Sequence, residues 1–176
     1  IQYLNFLGKV NTITTDFQGN VYLGGAFSKN WIMPGYHFKA DLYATVAFVA
    51  ALSPDLQRVL WFENDSQEGH SETHDIMVAN NELHFTGQYL KGLQMQGQTL
   101  TPAKPGFEVI LGKFNVQGTL LSLHSAGGDR DDIGESLCQI GSDIWLGGST
   151  TRSIQFGEAS LTFDRWGFKA YLLPLS

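Results

Sequence analysis

An all-β fold made of three tandem units is what the sequence predicts, and three observations carry that expectation. The first is a stretch written three times. Asn20-Val21-Tyr22-Leu23-Gly24-Gly25 returns as Glu82-Leu83-His84-Phe85-Thr86-Gly87 and again as Asp143-Ile144-Trp145-Leu146-Gly147-Gly148. The spacings are 62 (83 − 21) and 61 (144 − 83) residues, and a near-constant period announces a repeat architecture. The second is the almost wholly apolar run Val46 to Leu52, which keeps the same period: Ala47, Val109 and Ala170 are 62 (109 − 47) and 61 (170 − 109) apart. The third is composition. Twelve Phe, six Tyr and four Trp stand among 20 Gly and only 5 Pro, so the chain is a series of aromatic and β-branched runs punctuated by glycine.

Taken in order, Gln2 to Gly8 alternates and reads as a strand, followed by a second from Val10 to Thr15. Asp16-Phe17-Gln18-Gly19-Asn20 is a hairpin turn, since Gly and Asn tolerate positive φ. Val21 to Phe27 is the next strand, and residues 28–44, with Pro34-Gly35, form an irregular excursion. Thr45 to Leu52 is a strand covered on both faces, and Arg58 to Phe62 follows after the turn at Ser53-Pro54-Asp55. The same order repeats. His74 to Ala79 pairs with Glu82 to Gln88 through Asn80-Asn81, then come an excursion, Phe107 to Phe114 and Thr119 to Leu123. The third unit has Leu137 to Ile140, Asp143 to Gly148, an excursion and Phe168 to Leu175.

Four strands in up-and-down order make one blade of a β-propeller. The expected organisation is a single domain over 1–176, with repeats at about 9–70, 71–131 and 132–176 and an N-terminal strand at 1–8. The third unit lacks a fourth strand and the N-terminus supplies one without a unit, so the two ends are expected to complete one blade. A closed ring uses about 4–8 blades. Three units therefore imply a homo-oligomer, with two chains in a six-bladed ring, or neighbouring repeats of a longer chain.

The order Gly19-Asn20-Val21-Tyr22-Leu23-Gly24-Gly25, Ala47-Phe48-Val49-Ala50-Ala51-Leu52 and Gly127-Gly128-Asp129-Arg130-Asp131-Asp132 resembles the bacterial SBBP-type β-propeller repeat family. The resemblance covers nearly the whole chain. The second unit departs most, with Thr86 in place of the first glycine. It implies a secreted or cell-surface bacterial protein with a binding role and brings no catalytic residues.

Bulk properties narrow the function classes. With 43% hydrophobic and 16% charged residues the chain can fold on its own core. A formal net charge of −6 argues against nucleic acid or an anionic membrane as partner. No apolar run reaches the ~18–20 residues of a spanning helix. The chain begins at Ile1, so a processed or trimmed product is expected. Cys138 is the only cysteine, which excludes an internal disulfide, and it is expected to be a small buried hydrophobe. No nucleophile elbow, phosphate loop, dinucleotide fingerprint or zinc-protease helix occurs, and no cofactor is expected.

The excursions are the expected recognition surface, because loops on a rigid scaffold carry binding. Trp31, Tyr36 and His37 in the first, with Arg165 and Trp166 in the third, are the side chains on which a sugar or peptide would stack. Tyr22, His84 and Trp145 hold equivalent strand positions and are expected to pack. Two groups are weighed as metal ligands. Asp129, Asp131 and Asp132 gather three carboxylates, though without a calcium-loop spacing and beside Arg130. Their alternative role is to accept backbone amides at the turn. His70, Glu72, His74 and Asp75 could ligate zinc, but read as a solvated loop entering a strand. The expected function is a non-catalytic extracellular binding or adhesion module with a protein or carbohydrate partner. A structural cell-surface or filament subunit and a glycan-acting hydrolase are the alternatives.

Overall fold

The computed structural model describes residues 7–28, 31–33, 36–38, 44–67, 69–164 and 167–175, and of Leu7, 31–33 and 36–38 the backbone alone. The described residues form strands and turns without a helix. Sheet one is β1 (Leu7–Thr15), β2 (Val21–Ser28), β5 (Val46–Leu52) and β6 (Val59–Asn64), in that spatial order and antiparallel throughout. Sheet two repeats it with β7 (Ser71–Ala79), β8 (Glu82–Tyr89), β11 (Glu108–Asn115) and β12 (Leu120–Ala126). Sheet three has β13 (Asp132–Ile140), β14 (Asp143–Thr150) and β17 (Lys169–Pro174).

The expected meander, with its longer link between second and third strands, is present in each unit. The links differ from the irregular excursions expected. Each is a small hairpin: β3 (Trp31–Met33) with β4 (Tyr36–Phe38), β9 (Leu93–Met95) with β10 (Gln98–Leu100), and β15 (Ser153–Phe156) with β16 (Ala159–Thr162). Positive-φ residues close two of them: Gln96 and Gly97 in the second, Gly157 in the third. The N-terminus also differs. Val10 does not open a new strand, because β1 already runs from Leu7 through Gly8. Residues 1–6 of the expected first strand lie outside the described residues.

Turn chemistry follows the sequence. Asn80 and Asn81 take φ of 52° and 63°, which suits a two-residue hairpin. In the longer turn before β2, Gly19 takes φ 83°. There Asp16 Oδ1 accepts the Gln18 and Asn20 amides, and Oδ2 accepts the Tyr22 hydroxyl at 3.0 Å.

The sheets stack so that the face of one receives the back of the next. Tyr22, Ala47, Val49 and Ala51 of sheet one meet Ile76, Leu83, Phe85, Ile110 and Phe114 of sheet two. Ala79, Val109, Leu111 and Ala126 of sheet two meet Leu137, Ile144, Leu146, Tyr171 and Leu173 of sheet three. Leu23, Phe27, Val46, Phe48 and Ala50 form a separate buried cluster on the other side of sheet one. The second and third hairpins lean on the outermost strand of the sheet before them. Gln94 and Ser66 join through the Ser66 amide and the Gln94 carbonyl, and Gln155 bridges Gly127 in the equivalent place 61 residues on (155 − 94).

Cys138 corrects the expectation of a buried thiol: it is exposed. The reason is its place. It pairs with Trp145 on β14, on the face of sheet three that no described residue covers, whereas Met77, its counterpart on sheet two, is packed against sheet three.

Candidate functional site

The first strands β1, β7 and β13 are sheet edges, and the stacking brings them side by side. Each carries a β-bulge at the same point. The register skips Asn11 between Val10 and Thr12, His74 between Thr73 and Asp75, and Glu135 between Gly134 and Ser136. A bulge re-aims the extra side chain and is a feature found beside functional sites. Here three bulge residues from three sheets, with Lys9 and Glu72, line one open polar cleft of about 300 Å³.

Glycine makes the bulges possible. Each faces a glycine on the neighbouring strand: Gly25, Gly87 and Gly148. A Cβ at Gly25 would sit 2.1 Å from the Lys9 carbonyl oxygen, at Gly87 1.9 Å from that of Glu72, and at Gly148 2.1 Å from that of Ile133. Only a residue without a side chain admits so close a backbone approach.

Donors and acceptors interlock across the cleft. Asn11 Nδ2 donates to Glu72 Oε1 and to the Thr73 carbonyl, both at 2.7 Å. Lys9 Nζ pairs with the same Glu72 oxygen. His74 Nε2 lies 3.6 Å from Glu72 Oε1, while its Nδ1 is 3.0 Å from the Gly134 carbonyl oxygen and 3.8 Å from Glu135 Oε2. Glu72 and His74 are mostly sheltered; Lys9 and Glu135 reach solvent. Chemically, the cleft offers ammonium, amide and imidazole donors and two carboxylate acceptors, an arrangement that recognises polar groups. The expected solvated loop entering a strand is corrected in its loop part: the strand expected from His74 already begins at Ser71, so Glu72 lies in β7 with His74 and Asp75, and all three face the neighbouring sheets.

Asp75 sits one residue past the bulge. Its Oδ1 accepts the Thr12 hydroxyl at 2.9 Å, and its Oδ2 accepts the Leu137 amide at 2.8 Å. One carboxylate therefore joins all three sheets.

The other residues singled out in the sequence are dispersed. Trp31 and Tyr36, with His37, lie on the β3–β4 hairpin, where Ile32 pairs with His37 and Met33 with Tyr36; their side chains are outside the described residues. Arg165 and Trp166 are also outside them. The three aspartates point to different partners. Asp129 Oδ1 pairs with Lys104 Nζ and its Oδ2 lies 3.9 Å from Arg152. Asp131 Oδ1 accepts the Phe107 amide at 3.0 Å, and Asp132 Oδ2 accepts the Gly128 amide at 2.7 Å. Among the described residues no three His, Cys, Asp or Glu side chains gather to hold a metal. Burial pushes the Asp132 carboxyl up to about 6, and the neighbouring Glu108 and Asp131 carboxylates add to it.

Sequence reasoning missed Lys9, Asn11 and Glu135. The signal was an odd spacing. Thr73 and Ile76 both lie over Gly24 of sheet one although three positions separate them (76 − 73), which an unbroken strand cannot do. Comparison with protein-family models and with curated proteins finds no match for this chain.

Proposed function

We propose that the chain is a non-catalytic binding module, half of a β-propeller whose ring is completed by a second copy. The observation that supports this most is an unfilled place in the repeat. Ile76 and Leu137 hold equivalent positions after the bulge and are 4% and 9% exposed, each pressed on the preceding sheet. Their counterpart Ile13 is 67% exposed. At the other end, Gly24 of sheet one lies under Thr73 and Ile76 of sheet two, but its equivalent Gly147 has only Ser136 and Leu172 of its own sheet nearby. Leu172, on that same face, is 68% exposed. A face of this kind on a soluble chain marks an interaction surface. By the repeat, what belongs on it is the first strand of another sheet, with Ile13 leading.

Two copies would give six blades, within the ~4–8 that close a ring. The bulge residues of every blade would then face one axial cleft, whose donors and acceptors suit a carbohydrate or a peptide. The likeness to SBBP-type repeats argues for a secreted or cell-surface setting. The β3–β4 hairpin would lean on the partner's outermost strand, as β9–β10 and β15–β16 lean on theirs, which gives Trp31, Tyr36 and His37 an interfacial role.

Light scattering across a concentration series tests this reading. The expected mass is 2 × 19.4 = 38.8 kDa, reduced to the monomer by Leu172→Asp, with Cys138 protected from maleimide only in the wild type. A wild-type monomer at every concentration, with Cys138 freely labelled, would sink the reading. An open-ended polymer would favour a filament subunit instead.

A further inference from the structure

The contacts between neighbouring first strands follow one positional rule. At the boundary of sheets one and two, the bulge residue Asn11 reaches forward to two places on β7. Its Nδ2 donates to the carbonyl of Thr73, the residue before the next bulge, and to Oε1 of Glu72, two residues before it, both at 2.7 Å. At the boundary of sheets two and three, His74 Nδ1 meets the carbonyl oxygen of Gly134, again the residue before the next bulge, at 3.0 Å. The residue after the bulge obeys the rule as well. Thr12 Oγ1 takes the amide of Ile76 at 3.3 Å, and Asp75 Oδ2 takes that of Leu137 at 2.8 Å.

Carried one sheet further, the same rule names the groups that would meet at a seam between two copies. On β13 the bulge residue is Glu135, followed by Ser136. On β1 the residues one and two before the bulge are Val10 and Lys9, and Ile13 holds the place of Ile76 and Leu137. The side chains of Glu135 and Lys9 are 54% and 58% exposed, whereas those of Glu72 and His74, at the boundaries within the chain, are 14% and 16% exposed. The two open members of the series are thus the two that a second copy would bring together.

Charge complementarity identifies the occupant. Asn11 and His74 each set a nitrogen against the carbonyl ahead of it. Glu135 sets a carboxylate there, and an ionised carboxylate only accepts. Facing the Val10 carbonyl it would bring two acceptors together, which is costly once water is excluded. The position two before the bulge supplies the missing donor. Where β7 has the Glu72 carboxylate to receive the Asn11 amide, β1 has the Lys9 ammonium. Donor and acceptor have changed sides and the pair is kept. Lys9 Nζ carries three N–H groups, and its pairing with Glu72 of its own chain leaves others for a carboxylate arriving from outside.

We propose that in the two-copy ring Glu135 of each copy forms an ion pair with Lys9 of the other, while Ser136 Oγ accepts the Ile13 amide. This rests on the assembly proposed above and adds the contact that fixes its register. Two-fold symmetry makes the pair twice, once at each seam. Both residues line the polar cleft, so the second copy contributes charged groups to it and the cleft of a single chain is incomplete.

Charge reversal tests the pairing, with light scattering over a dilution series to give the dissociation constant of the wild-type dimer. Glu135→Lys alone sets two ammonium groups together at both seams, and Lys9→Glu alone sets two carboxylates together. Each variant is expected to dissociate at least roughly tenfold more readily, since two pairs are lost at once. An equimolar mixture of the two variants should regain the dimer, because each mixed seam again joins opposite charges. Circular dichroism of the dissociated variants checks their folding. Should a reversal unfold the chain, Glu135→Gln and Lys9→Gln remove charge without repulsion; each should weaken association, and the double variant little more than either. A wild-type dimer that either reversal leaves unchanged, or variants that stay apart when mixed, overturns the pairing and leaves the assembly standing. A wild-type monomer at every concentration overturns both.

Discussion

Asp75 takes the amide of Leu137 at 2.8 Å across the boundary between sheets two and three. One unit earlier Thr12 does the same for the amide of Ile76, at 3.3 Å. The residue after each of the first two bulges is thus an acceptor for the backbone of the next sheet. Asp75 also receives the Thr12 hydroxyl, so removing its side chain frees groups on both sides. Asp75→Ala is expected to cost about 2–3 kcal/mol, because it orphans partly buried donors. Asp75→Asn should cost less, since one oxygen still accepts. Urea unfolding of the two variants measures the difference.

Stability is expected to depend on acidity through Asp132. Its folded pKa, about 6, lies above the ordinary carboxylate value because the group is buried. The folded state therefore holds more protons than the unfolded state between those two values. Stability is highest below that window and falls as pH rises through it. Burial shifts Asp65 and Glu63 in the same direction. Asp132→Asn should flatten the slope and raise the melting temperature at pH 8, by about 1–3 kcal/mol of stability. An unchanged slope between pH 4 and 7 would refute this assignment.

The last two positions of the repeated stretch, Gly24-Gly25, Thr86-Gly87 and Gly147-Gly148 in the three copies, are expected to respond differently to alanine where glycine fills them. At Gly87 a Cβ would strike the Glu72 carbonyl, and the bulge would have to open. Gly87→Ala should therefore destabilise by about 1–3 kcal/mol or more. At Gly147 the nearest atoms are 3.2 and 3.4 Å away and belong to flexible side chains. Gly147→Ala should leave a monomer's melting temperature within a degree or two, and any larger effect should appear only in the self-associated form.

Trp61→Ser would empty the place between Tyr22 and Phe114 at the boundary of sheets one and two. It removes an indole packed on Tyr22 and Phe114 and leaves the Val116 carbonyl without its donor. A loss of about 3–5 kcal/mol is expected, as for other large aromatic deletions in a core. Thermal unfolding monitored at tryptophan-independent wavelengths gives the number.

The strands were legible in the sequence because their signals are local. Period, alternation and the turns at Gly19 and Asn80-Asn81 needed only neighbours along the chain to be read. The polar cleft was not legible, since Asn11, His74 and Glu135 meet only through a bulge, and a bulge shows in a sequence merely as a slip of phase. Cys138 was misread for a related reason. Its strand resembles the covered ones, and burial there depends on which sheet lies outside it. The hairpins hid in the excursions because strands of three or four residues are too short to display alternation.

The clasp at Gln96 has a consequence for synthesis. From the tip of the second hairpin, its amide group bonds Glu63 and the Gly118 carbonyl while its oxygen takes the Leu120 amide. A ribosome adds about 5–20 residues per second. Glu63 therefore leaves the peptidyl-transferase centre 33 residues ahead of Gln96 (96 − 63), roughly 2–7 s at that rate. For that interval Glu63 has no Gln96 to bind, and the clasp closes only when Gly118 and Leu120 have followed.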